Sequence, residues 1–337
     1  MSTEAPQLPS QAKTPKVPVT ILTGFLGAGK TTLLNRILSE RHGERIAVIE
    51  NEFGPQGVDN ELLLSAGPAQ IVEMNNGCIC CTVRGDLVRI LGQLSWRGET
   101  AATRLDRVII ETTGLADPAP VAQTFFMDDD VAAHYTLDAI VTVVDALHAD
   151  RQLDAHHEAQ EQVGFADRIL LSKSDLVSSL QRKRLRQRLR RMNPRAPIRT
   201  AHFGATPITD LLDVAGFSLE HVLEIEPGFL DEESHEHDDA IRAFAFTSER
   251  VFDADRLQTF FRDMLAAHGQ NLLRYKGIVA FAGLDHRIVL QGVHMLMNSD
   301  AGRPWGADEA RESKLVLIGR NLPDAALRAA LESCLRP

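Results

Sequence analysis

Gly24-Phe25-Leu26-Gly27-Ala28-Gly29-Lys30-Thr31-Thr32 is the stretch whose reading decides the fold of this chain. It fits G-x-x-x-x-G-K-[ST], the pattern of a phosphate-binding loop. An apolar, strand-like run, Val17 to Leu22, precedes it, and Leu33, Leu34, Ile37 and Leu38 follow at helical spacing. Strand, loop and helix is the context the pattern needs. Glycines let backbone N–H groups curl around phosphate oxygens, and the helix N-terminus adds partial positive charge. On this reading Gly24, Gly27, Ala28, Gly29, Lys30, Thr31 and Thr32 hold the phosphates. Lys30 reaches the β- and γ-phosphates, and Thr31 places its hydroxyl on Mg²⁺. The plain alternative is a glycine-rich turn without a ligand, and the full motif in this setting argues against it.

Working outward, strand and helix signals alternate from Val17 to about Phe217. The strand candidates are Val17–Leu22, Arg45–Glu50, Gln70–Glu73, Arg107–Glu111, Ala139–Asp145, Arg168–Ser172 and Pro197–Thr200. Such runs suit a sheet buried on both faces, and the alternation predicts an α/β fold with a doubly wound, mostly parallel sheet. Ligands are then expected at the carboxyl ends of the strands. Several strands do end on polar or glycine-containing loops: Thr23-Gly24, Glu50-Asn51, Glu111-Thr112 and Ser172-Lys173. The pattern breaks at 220–239, an acidic stretch with Pro227, Gly228, His235 and His237, read as a linker. The expected organisation is a disordered tail over 1–16, a nucleotide domain over 17–219, the linker, and a smaller α+β domain over 240–337. In the latter, strands are expected at Ala240–Thr247, Leu272–Ala282, Arg287–Val293 and Leu315–Ile318, with helices at Asp253–Ala267 and Pro323–Cys334.

Four further groups carry chemistry. Val108 to Glu111 is an apolar strand ending in an acid, followed by Thr112-Thr113-Gly114. Phosphoryl transfer needs an acid near Mg²⁺ or the attacking water, and a backbone N–H facing the γ-phosphate. Glu111 and Gly114 suit these roles. Ile169 to Leu171 leads into Ser172-Lys173-Ser174-Asp175, a strand followed by S-K-x-D. Asp175 can accept hydrogen bonds from guanine N1–H and N2–H₂, a pairing adenine cannot supply, so GTP is expected over ATP. Lys173 belongs to the same loop. Ser172 in place of the commoner Asn removes one loop-bracing amide, with weaker nucleotide selectivity as the expected result.

Gly77-Cys78-Ile79-Cys80-Cys81-Thr82 places three thiols within four residues. Cys78, Cys80 and Cys81 can present soft thiolates to one ion and leave room for a fourth ligand. Small buried hydrophobes and a redox sensor are the alternatives. Glu50-Asn51-Glu52-Phe53-Gly54 follows the second strand, where a mobile switch segment can lie. Glu50 is a further metal candidate, and a solvated acidic turn is its alternative. His156-His157 reads as a solvated helix face, and the basic run Arg182 to Arg191 as a solvated amphipathic helix with Leu185, Leu189 and Met192 inward.

Composition bounds the function. The chain has 337 residues, 44% hydrophobic and 24% charged, as ordinary soluble proteins do. With 36 basic against 46 acidic residues the net charge is −10, which argues against a general nucleic-acid binder. No apolar run approaches the ~20 residues of a membrane span. Residues 1–16 have no apolar core, so no signal peptide is expected and a cytoplasmic location follows by default. Four cysteines in so long a chain are not a disulfide framework.

Together these residues resemble the CobW-like P-loop GTPases, in the YjiA-like branch of zinc-linked metallochaperones. The matching pieces are Gly24–Thr32, Glu50–Gly54, Asn76–Cys81, Glu111–Pro118, Asp167–Asp175, Tyr275-Lys276-Gly277, Gln291-Gly292-Val293 and Arg303-Pro304-Trp305-Gly306. The resemblance implies slow hydrolysis of GTP to GDP and a metal site at C-x-C-C. It implies delivery of Zn²⁺, or of Co²⁺ or Ni²⁺, to a client metalloprotein, with homo-oligomerisation left open. It also implies that the second unit is the CobW C-terminal domain. Pro55 and Asp128 stand where similar proteins can carry an acid and a histidine. A nucleotide-gated metal store or sensor, and a cobalt chaperone of the cobalamin pathway, are the competing readings.

Overall fold

The computed structural model describes residues 16–40, 43–51, 70–74, 81–97, 105–201, 214, 240–306 and 309–336. Cys78, Cys80, Pro55, His235 and His237 lie outside them, as do the expected tail up to residue 15 and the whole of the expected linker.

The first sheet is built from β1 (Val17–Thr23), β2 (Ile46–Asn51), β3 (Gln70–Met74), β4 (Arg107–Glu111), β5 (Tyr135–Asp145), β6 (Arg168–Ser172) and β7 (Ile198–Thr200). Their order is β3-β2-β4-β1-β5-β6-β7, and every pair is parallel. Between them run α1 (Lys30–Ser39), α2 (Cys81–Arg97), α3 (Ala119–Met127), α4 (Asp129–His134), α5 (Ala149–Ala155), α6 (His157–Phe165) and α7 (Ser179–Met192). Alternate residues of β1 point to opposite faces. Val19 and Ile21 join a core with Leu87, Phe125 and Tyr135, while Leu22 joins another with Leu33, Leu34 and Ile37 of α1. Helices therefore cover both faces, as a parallel sheet requires.

β5 starts at Tyr135, four residues before the expected Ala139, because Thr136 and Asp138 interrupt its apolar run. Each has a structural reason. Thr136 points outward, and Asp138 pairs with the buried Arg107 at 3.2 Å. The helix expected around His156-His157 is two helices, α5 and α6, and His156 at the break stacks on Phe25 with ring centroids 4.7 Å apart. Helix α7 buries Leu185, Leu189 and Met192 as expected, but its Arg188 is buried too, held by Asp150 and Asp154.

The second sheet holds β8 (Ile241–Ser248), β9 (Leu272–Val279), β10 (His286–Val293), β11 (Leu296–Pro304) and β12 (Ser313–Arg320) in the antiparallel order β11-β10-β9-β12-β8. β11 was not expected. It is a polar, mostly exposed edge strand paired only to β10, so it lacks an apolar signal. α8 (Ala254–His268) and α9 (Asp324–Ser333) cover one face, packing on Leu315 and Leu317. Val316 and Ile318, one residue out of phase, face the other way and join the core of the first sheet through Phe165 of α6. The second sheet thus rests on α6.

Candidate nucleotide and metal site

The phosphate loop sits where the sequence puts it, between β1 and α1. Gly24 (φ 143°), Gly27 (φ 73°) and Gly29 (φ 100°) lie in the left-handed region that only glycine enters freely. At Gly24 space also demands glycine, since a Cβ would lie 2.3 Å from the Val143 carbonyl oxygen. Gly29 caps α1 without a side-chain acceptor, so the first-turn N–H groups are left for a ligand. The Lys30 ammonium, nearly buried, donates to Gly24 O at 2.9 Å and so lies across the loop mouth. Thr31 and Thr32 open the helix, half-buried and exposed. Loop amides, an ammonium and a Thr31 hydroxyl make a donor set that fits a Mg²⁺-bound triphosphate.

Beside the loop, β4 ends at Glu111, and the Thr112 hydroxyl donates to that of Thr23 at 2.8 Å while its N–H reaches Leu22 O. This ties the acid's strand to the strand that feeds the phosphate loop. Gly114 lies against the backbone of Leu26, where a Cβ would meet Leu26 N at 2.7 Å. Glu50 is buried at the end of β2, in register with Glu111 of β4 and with Glu73 of β3. β4 lies between β2 and the phosphate strand β1, so the neighbour of Glu50 is Glu111.

At the other side, Lys173 (φ 51°) stands in the left-handed region, and Asp175 is exposed in a short 3-10 turn, Ser174–Leu176. The Lys173 ammonium donates to Gly27 O at 2.9 Å and to Asp145 Oδ2 at 2.7 Å. The Ser172 hydroxyl donates to Ala28 O at 2.6 Å, so it braces the phosphate loop itself. Asp145, at the end of β5, is the group the sequence reading missed. Its carboxylate also accepts from Leu147 N and His148 Nδ1. Burial alone would raise its pKa, but Lys173, His148 and the Leu147 N–H outweigh that and hold it below the usual carboxylate range. An acid ending the strand next to β1 was the available signal.

Of the metal candidates, Glu50 is described and Cys81 opens α2. Among the described residues no group of three or more His, Cys, Asp or Glu side chains gathers to hold an ion. Asp128 serves the helix that follows it, since its carboxylate accepts from Val131 N at 3.0 Å and caps α4. His157 is exposed, as expected of a solvated face.

The parallel sheet, the glycine-lined loop with its buried lysine and the S-K-x-D turn define a P-loop nucleotide-binding protein. The chain belongs to the CobW/HypB/UreG family: its nucleotide-binding domain model matches residues 18–200, and the cobalamin synthesis protein CobW C-terminal domain matches residues 241–335. The chain is 41% identical to the zinc chaperone YjiA of Escherichia coli, over 93% of this chain and 97% of that one. It is 34% identical to the zinc chaperone CobW of a Sinorhizobium species, over 96% and 98%. The crystal structure of Zn(II)-bound YjiA GTPase from E. coli superposes with a TM-score of 0.77 at 35% identity, covering 96% of this chain and all of that one.

Proposed function

We propose that this protein is a GTP hydrolase that carries Zn²⁺, or a related divalent ion, as cargo for a client metalloprotein. The phosphate loop with Lys30, seated beside an S-K-x-D turn that grips it through Lys173 and Ser172, is the observation that carries this reading. Gly24, Gly27, Ala28, Gly29, Lys30, Thr31 and Thr32 hold the phosphates, and Lys173 and Asp175 hold guanine. Thr31 provides a hydroxyl for Mg²⁺, which when bound neutralises charge on the β- and γ-phosphates. Glu111 orients the attacking water, and the Gly114 loop meets the γ-phosphate. Glu50, Cys78, Cys80 and Cys81 are the cargo ligands: three thiolates and a carboxylate suit Zn²⁺. The names of the relatives, zinc chaperones and a Zn(II)-bound GTPase, support the cargo assignment. Among the described residues no helix is long and apolar enough to cross a membrane.

The test is steady-state GTP turnover with and without one equivalent of Zn²⁺, Co²⁺ or Ni²⁺. Turnover that responds to Zn²⁺ supports the reading. Turnover indifferent to every metal leaves a plain GTPase, and metal binding without turnover leaves a store or sensor.

A further inference from the structure

The segment from Thr112 to Pro118 carries Gly114 between β4 and α3, and the freedom of a glycine backbone means that something outside the loop must fix it. One face is set by the close approach of Gly114 to the Leu26 backbone. The other is set by Gln162 of α6. Its Nε2 donates to Gly114 O and to Ala116 O, each at 3.1 Å. An amide NH₂ has two protons, and each is directed to one carbonyl of the loop. Flipping the amide would set its oxygen against two carbonyls, so this orientation follows from the chemistry. The Gln162 side chain is buried, and its own backbone carbonyl accepts from Thr142 Oγ1 at 2.7 Å on β5. Because the peptide unit is planar, holding Gly114 C=O fixes the plane of the 114–115 peptide, which adjoins the Gly114 N–H assigned to the γ-phosphate.

The helix that carries Gln162 is the one on which the second sheet rests. At Gly164 a Cβ would lie 2.7 Å from Leu273 of β9 and 3.3 Å from Ile241 of β8. Glu161 pairs with Arg320 of β12 at 2.7 Å. Asn193 grips the end of α6 through the carbonyls of Val163, Gly164 and Ala166. A second link meets the same loop directly. His294, in the β10–β11 turn with φ 51°, packs edge-on against Phe165 and brings Nε2 to 3.8 Å from Asp117. The loop is therefore bounded by the phosphate loop on one side and by second-domain supports on the other.

We propose that Gln162 is a positioning residue of the hydrolysis site, and that seating of the second domain on α6 sets where it holds the Gly114 loop. The inference rests on the GTPase reading above. It makes the second domain a regulator of turnover, so that a protein or ion engaging that domain acts on the γ-phosphate loop through three residues of one helix turn.

The test is steady-state GTP hydrolysis and GDP affinity in the full chain. Gln162→Leu removes both donors at similar volume and should lower kcat about tenfold, the effect of losing roughly 1.4 kcal/mol of positioning. GDP affinity should stay within about threefold, because the loop meets only the γ-phosphate, which GDP lacks. Arg320→Ala, remote from the nucleotide, removes the Glu161 ion pair that seats α6 on β12 and should lower kcat with GDP affinity unchanged. Gly164→Leu, whose larger side chain Leu273 and Ile241 cannot both clear, should do the same if it folds. Wild-type kcat in folded Gln162→Leu overturns the role, and so does a loss of kcat that tracks GDP affinity and melting temperature together. Wild-type kcat in the α6 seating variant overturns the link to the second domain. Wild-type turnover no faster than that of Lys30→Ala would instead sink the GTPase reading itself.

Discussion

Asp167 and Arg274 meet across the boundary between the two sheets, each only 3% exposed, in a direct ion pair. Lys276 joins the same carboxylate oxygen at 2.6 Å, and Asp167 Oδ2 accepts from Ile140 N at 2.9 Å. One carboxylate at the start of β6 is thus shared by two cations of β9, just past the end of α6. Burial pushes the Lys276 ammonium down to about 7, helped by the charge of Arg274, while Asp167 pulls it back up.

Removing that carboxylate should therefore be costly. Asp167→Asn leaves the buried Arg274 guanidinium without its acid and Lys276 without the carboxylate that favours its charged form, a change of about 3–5 kcal/mol in comparable pairs. Burial alone would raise the Asp167 pKa, but Arg274 and Lys276 hold it below its ordinary value of 3.8. A carboxylate with a lowered folded pKa stabilises the fold above its unfolded pKa and loses that contribution as pH falls below it. Urea unfolding should show the full deficit of Asp167→Asn at pH 7, and a shrinking one below about pH 3.8. A deficit under about 1 kcal/mol at pH 7 would mean that the pair does not hold the domains together.

Lys30→Ala should abolish GTP turnover while leaving the circular dichroism spectrum intact, since the ammonium is the fixed positive charge of the loop. Turnover at the wild-type rate in the folded variant would remove Lys30 from the site. Gly24→Ala is the backbone counterpart. It meets both a φ of 143° and a contact of 2.3 Å with Val143 O, so nucleotide-dependent stabilisation in a melting experiment should be lost. A variant that still melts higher with GDP would show that the loop can adapt.

Base choice gives a paired prediction. Asp175→Asn should weaken GTP binding and admit xanthosine triphosphate, whose O2 accepts a hydrogen bond where guanine N2 donates. Asp145→Asn weakens the acid that anchors Lys173, so it should lower GTP and GDP affinity alike without changing kcat at saturation. Calorimetry decides both. Unchanged GTP affinity with no gain for the xanthosine nucleotide would mean that Asp175 does not read the base, and unchanged affinity in Asp145→Asn would make that acid dispensable.

What the sequence made legible, and what it did not, follows from the range of each interaction. The phosphate loop, α1 and β1 were readable because glycine conformation, apolar period and motif are local. The same holds for β4, β6 and the S-K-x-D turn. β11 was hidden because an edge strand needs no apolar face, and the break between α5 and α6 because both sides of His156 keep helical periodicity. Strand order was hidden too. Only pairing shows that β4 separates β1 from β2, which makes Glu111 the neighbour of Glu50. Gln162 and Asp167 are single polar residues whose partners lie 48 and 107 positions away, and no spacing announces that.

The last prediction concerns that neighbour relationship. Glu50 and Glu111 are paired positions on adjacent parallel strands, whose axes lie about 4.8 Å apart. One is a proposed cargo ligand and the other a proposed organiser of the attacking water. On the proposed roles, a cation gathered by Glu50 and the cysteines would act on the charge of Glu111 from the neighbouring strand, and a Mg²⁺-bound triphosphate would act back on Glu50. Coupling of this kind is reciprocal: the factor by which GTP changes Zn²⁺ affinity equals the factor by which Zn²⁺ changes GTP affinity. Typical couplings of about 1–3 kcal/mol correspond to roughly 5–150-fold. Zn²⁺ affinity, measured by competition with a chromophoric chelator, should therefore differ among the nucleotide-free, GDP-bound and GTP-analogue-bound protein. Cys80→Ala should weaken Zn²⁺ binding and flatten that difference, while GTP affinity in metal-free buffer stays unchanged. Glu50→Gln should flatten it with a smaller loss of Zn²⁺ affinity, because the thiolates remain. Equal Zn²⁺ affinity in all three states of the wild-type protein would leave the cysteines as a passive site and sever cargo from hydrolysis.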